Sequence, residues 1–142
     1  MNRALRTKTP WLLAVAAVMA GGAAGIGLDR VAFAQPGGIK RTILLRADDP
    51  GSAAYEAVMG IAEIPPGASS GKHRHHGIEV AYVLDGSVLL EREGQTSVTL
   101  KAGEAFKNEG GVHNAKNPGT TPVKILAVYL VEKGKPLAEP VP

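Results

Sequence analysis

The chain has 142 residues, 16 Lys and Arg against 13 Asp and Glu, and no cysteine, which excludes disulfide staples and thiolate metal sites. Arg3, Arg6, Lys8 and Arg30 against Asp29 give residues 1–34 a net charge of +3; subtracted from the whole-chain +3, this leaves the remainder near zero. The basic isoelectric point therefore belongs to the first segment and gives no argument for nucleic-acid binding.

That first segment has the pattern of a targeting sequence. A basic start at Arg3, Arg6 and Lys8 precedes the apolar run Trp11 to Ala20, and Ala32-Phe33-Ala34 is a small-residue cleavage signal. Export to the periplasm or the outside, with cleavage after Ala34, is the expectation. The alternative is an uncleaved membrane anchor, since Trp11 to Leu28 is an uncharged stretch of 18 residues.

Residues 35–142 number 108, enough for one domain with one core. Gln35 to Gly38 is a flexible lead-in, and Lys135 to Pro142, with three prolines, a loose tail. Between them the pattern predicts short strands broken by turns. Ile39 to Arg46 is followed by the turn Asp48-Asp49-Pro50-Gly51, and Tyr55 to Ile64 is stopped by Pro65-Pro66-Gly67. Ile78 to Leu84 ends at Asp85-Gly86, the strongest hairpin signal in the chain. Ser87 to Arg92 and Thr96 to Lys101 form a hairpin around Glu93-Gly94, and Ala105-Phe106, Val112 to Lys116 and Val123 to Val131 complete the set. No window holds a helical period. The class is all-β, and the pattern alone does not choose between sandwich and barrel.

The chemistry is concentrated in GASSGKHRHHGIEVAYVLDG, residues 67–86, which carries three of the four histidines. Imidazole is the commonest side-chain metal ligand near neutral pH. In an extended segment His73, His75 and Glu79 fall on one face, as positions i, i+2 and i+6 must. A helix would scatter them. Such a cluster also occurs as a solvated polar loop, but His113 in a second segment supplies a fourth donor and favours a metal site. His76 breaks the parity and is expected at the mouth, facing out. Arg74, beside the ligands, is either solvated or available to an anionic substrate.

At these residues the chain resembles the cupins. Their first motif is matched without a gap by Gly67, His73, His75, Glu79 and Gly86. The second half of their second motif is matched by Gly103, Gly110, His113 and Asn117, with one residue missing between the glycines and Asn108 or Glu109 where a proline would stand. The resemblance implies a double-stranded β-helix, a small jelly-roll barrel. It also implies one divalent transition metal per chain, held by His73, His75, Glu79 and His113. Nitrogen and carboxylate donors suit Fe, Mn, Ni, Cu or Zn. Asn117 is a turn group or supports the ligands from behind. Pairing through sheets, frequent in that family, implies a homodimer, and Val80, Tyr82 and Leu84, apolar opposite Ala81 and Val83, agree with a covered outer face.

Two functions follow. One is a metal-dependent oxidoreductase of the dioxygenase kind acting on a small molecule, with Glu79 a ligand that also serves as catalytic base. The other is a non-catalytic module that binds or senses a small ligand around a structural metal. Met59, Ile61 and Phe106 are candidates for pocket lining; with Tyr55, Tyr82, Phe106 and Tyr129 the only aromatics after residue 34, each is expected in the core.

Overall fold

The computed structural model describes residues 38–142 and the backbone of Ala32–Ala34. Apart from those three, residues 1–34 and the export or anchor expectation placed on them lie outside the described residues. No helix of the described residues is long and apolar enough to cross a membrane.

The described chain is all β. In order it forms β1 (Ala32–Ala34), β2 (Lys40–Asp48), β3 (Tyr55–Ile64), β4 (His73–Arg74), β5 (Gly77–Asp85) and β6 (Ser87–Arg92). Then follow β7 (Val98–Lys101), β8 (Ala105–Glu109), β9 (His113–Lys116), β10 (Val123–Glu132) and β11 (Glu139–Pro140). A six-stranded sheet runs β1-β2-β3-β10-β5-β8 and a five-stranded sheet β11-β4-β9-β6-β7. All pairs are antiparallel, and the two sheets form the walls of a jelly-roll barrel.

Alternation along each strand decides what enters the barrel. Ala81, Val83, Ile125, Ala127, Tyr129 and Val131 point inward and are buried together with Ile39, Ile43, Val58 and Val88. Val58, Val83, Val88 and Val123 are fully sealed, and each contributes roughly 1.5–3 kcal/mol relative to an exposed position. β10 is the spine of the large sheet: it pairs along its whole length with β3, from Val123 opposite Ile64 to Glu132 opposite Tyr55, and with β5 on its other side.

The outer face of the large sheet is also apolar. Ile78, Val80, Tyr82 and Leu84 of β5 and Leu130 of β10 are all exposed. Aromatic placement is mixed: Tyr129 is buried, Phe106 packs at the core's edge, and Tyr82 lies on this exposed face.

Three expectations are corrected. Met59 and Ile61 have the wrong parity for the interior, where β3 instead sends Val58, Ala62 and Ile64. The extended segment carrying His73, His75 and Glu79 is divided between sheets: the chain leaves the small sheet after Arg74 and enters the large one at Gly77. The loose tail is tied down, with Glu139–Pro140 pairing antiparallel to His73–Arg74 and Glu139 bonded to Arg74 at 2.7 Å.

Candidate metal centre

Four elements meet at the centre. β4 carries His73, the link to β5 carries His75, β5 carries Glu79 and β9 carries His113, with His73 and His113 directly opposite in register. The two sequence motifs are also stitched through their backbones, the Gly67 amide donating to the Asn117 carbonyl at 2.9 Å. Asn117 is a turn group: its side-chain amide donates to the carbonyls of Ile64 and Thr121, and its Oδ1 accepts from the Gly119 amide.

Each imidazole is oriented from behind. Nδ1 of His73 donates to the Gly71 carbonyl at 2.9 Å, Nδ1 of His113 to Gly111 at 2.9 Å, and Nδ1 of His75 to Leu137. This assignment leaves the three Nε2 lone pairs for the centre, the tautomer a metal-bound histidine needs. One ligand atom from each lies within 4.8 Å of the others, and all three residues are buried. Glu79 Oε2 is 3.5 Å from Nε2 of both His75 and His113. His75 Nε2 is buried with no hydrogen-bond partner among the described residues. A buried orphan acceptor costs about 1–3 kcal/mol unless something meets it. A divalent cation fits that demand.

Glu79 is held in turn. Its Oε2 accepts from Asn108 Nδ2, and Asn108 Oδ1 accepts from Arg92 Nε at 3.0 Å. Asn108 stands directly across from Glu79 in the β5–β8 ladder. The shortened second motif thus puts an amide at a site where its side chain anchors the carboxylate.

Charge states agree with ligation. Burial lowers His73 from 6.5 to about 4, against the opposing hydrogen bond to Gly71, with the charges of His113, His75 and Arg41 adding to the drop. Burial likewise lowers His113, opposed by its Gly111 bond and by the Glu79 charge. For Glu79 burial acts upward, but a bond and charge from His75 in its protonated form, the Asn108 amide and the His113 charge outweigh it and bring the carboxyl to about 2. The sign follows: His73 stays neutral in the fold while its unfolded counterpart takes a proton below 6.5, so stability falls as pH drops from 6.5 towards 4. Glu79 acts the same way between 4.5 and 2. Metal-free protein is therefore expected to melt at steadily lower temperature as pH is lowered from 6.5 to 4; a flat melting profile there contradicts buried neutral imidazoles.

Other candidates behave differently. His76 stands at the edge, its Nε2 2.9 Å from Glu139, and Arg74 is committed to the same carboxylate. Arg74 is thus a tether for the tail. A residue not among the sequence candidates joins the centre: Arg41, buried on β2 between Ile39 and Ile43. An interior cavity of about 20 Å³ is lined by Arg41, His73, Glu79, Phe106, His113 and Tyr129 among others. Tyr129 packs tilted against His75, 4.7 Å between ring centroids; burial and the Glu79 charge push its hydroxyl far up, against Arg41. Phe106 alone of the three candidates lines this cavity.

A double-sheet jelly-roll barrel with three buried histidines and one buried carboxylate gathered inside defines a class, small β-barrels with an interior group that could hold a metal. The chain belongs to the cupin family: residues 60–129 match the family described as Cupin domain. It is 46% identical over 65 residues to beta-alanine degradation protein BauB of Pseudomonas aeruginosa, covering 44% of this chain and 68% of that protein. It is 37% identical over 71 residues to an oxalate-binding protein of Thermotoga maritima, 49% of this chain. The match spans 58% of that relative's length. A solved structure described as a predicted oxalate decarboxylase, also from Thermotoga maritima, superposes with TM-score 0.58 at 25% identity, over 74% of this chain and 94% of that one.

Proposed function

We propose that the protein is an exported, metal-dependent cupin that captures a small molecule at His73, His75, Glu79 and His113 and transforms it by oxidoreductase chemistry of the dioxygenase kind. The observation that carries the reading is the buried, unpaired Nε2 of His75 among three imidazoles whose Nδ1 atoms are all engaged. A metal ion held there supplies Lewis acidity or a docking point for O₂. The three imidazoles fix its position, and Asn108 with Arg92 fixes the carboxylate. Glu79, buried and held by the Asn108 amide, is placed for ligation.

A second reading has its own support. The interior cavity, about 20 Å³, admits roughly one water-sized group, and one relative is called oxalate-binding. Both favour simple capture of a very small ligand. Oxygen uptake by protein loaded in turn with Fe, Mn, Ni and Cu, in the presence of small organic acids, thiols and diketones, separates the two. Uptake with any pairing supports the oxidoreductase; binding without uptake supports capture.

The exposed face of Ile78, Val80, Tyr82, Leu84 and Leu130 is proposed to pair with its copy in a homodimer. Sedimentation is expected to give a dimer that Val80→Lys converts to monomer. Monomer alone at micromolar concentration removes the dimer.

A further inference from the structure

Arg41 is a charge in the wrong place for a structural residue. It lies on β2 between the core residues Ile39 and Ile43, is only 7% exposed, and its Nε and Nη1 have no hydrogen-bond partner among the described residues. A buried guanidinium with two of its three nitrogens unpaired is costly and points to a ligand that completes it. Its surroundings say where that something sits. Arg41 lines the same interior cavity as His73, Glu79, His113 and Tyr129, and its positive charge is felt at both His73 and Tyr129.

We propose that Arg41 is the anchor for the carboxylate of a very small organic acid bound beside the metal. The guanidinium presents a planar fork of donors that matches a carboxylate bidentately. Nε and Nη1 together carry three N–H groups without a partner, and Arg41 lines the cavity. The cavity, about 20 Å³, restricts the ligand to a few heavy atoms in reach of both the fork and the imidazoles. An acid of formate size is the largest that approaches both conditions; oxalate, a sugar or an aromatic acid exceeds the space. This inference rests on the metal-centre reading above and names the substrate class for it.

The test compares wild type, Arg41→Met and Arg41→Lys as full-length, metal-loaded proteins. Metal content, melting temperature and calorimetric binding of formate, oxalate and uncharged formamide are measured for each. Wild type is expected to bind formate, and neither the larger oxalate nor uncharged formamide. Arg41→Met is expected to keep its metal, to melt no lower than wild type, and to bind formate roughly tenfold to hundredfold more weakly. Arg41→Lys, with charge but no fork, falls between. Unchanged formate affinity in Arg41→Met, or equal binding of formamide and formate by wild type, overturns the proposal. A lower melting temperature with unchanged anion binding also overturns it and makes Arg41 structural. Formate binding by metal-free wild type that disappears in Arg41→Met supports the anchor even where the metal reading fails.

Discussion

His113→Ala is expected to lose most of the bound metal while the barrel stays folded. His113 is the one donor outside residues 67–86, delivered by β9 directly opposite His73, and its Nε2 lies 3.5 Å from Glu79 Oε2. Removing it leaves two imidazoles and a carboxylate, and the loss is larger than the 10–100-fold typical of a supporting group behind a ligand. The fold loses little. His113 stands outside the apolar cluster, and its Nδ1 bonds only the carbonyl of Gly111, so the cost is about 1–2 kcal/mol. Metal stoichiometry by mass spectrometry, read beside circular dichroism, checks both halves. Retained metal at unchanged stoichiometry sinks the four-ligand centre.

Gly77→Ala is expected to be among the most destabilising single changes in the chain. A Cβ at Gly77 would stand 2.0 Å from the carbonyl oxygen of Leu130, and φ there is +153°. The obstacle is backbone of β10, the spine of the large sheet, so no side chain is available to swing aside. Separating β5 from β10 at this point also displaces Glu79, two residues on. A loss of about 4 kcal/mol or more follows, together with weakened metal binding. Gly94→Ala serves as control: φ is +70° but nothing lies within 4 Å, and about 1 kcal/mol of backbone strain is expected. A Gly77→Ala protein melting within a few degrees of wild type contradicts the packing at this crossing.

The parts of the fold legible in the sequence are those fixed locally. Tyr55–Ile64 and Ser87–Arg92 coincide with the predicted strands because turn residues bound both, Pro65-Pro66-Gly67 and Asp85-Gly86 among them. The motif glycines Gly67, Gly86, Gly103 and Gly110 all have positive φ. Parity groups His73, His75 and Glu79, a second segment adds His113, and the structure brings the four side chains to one place.

What was not legible depends on partners distant in sequence. The break between β4 and β5 arises because His73 pairs with His113 and Pro140, whereas Glu79 pairs with Asn108 and Tyr129. Gly77 between two chemically rich segments was the available sign. Proline content made the tail look loose, yet Leu137 accepts from His75, and Glu139 holds Arg74 and His76. Asn108 reads as a defect in a motif and acts as the partner of Glu79. Arg41 had a signal, a charge alternating in phase with Ile39 and Ile43. Its meaning depends on what lies across the barrel, which a strand pattern does not contain.

The metal content of the protein, purified without affinity tag or chelator, tests the central claim most directly. The account predicts close to one divalent transition metal per chain, bound through neutral imidazoles and released as they protonate in acid. A chain that carries no metal and takes up none on titration with Fe, Mn, Ni, Cu or Zn would contradict it.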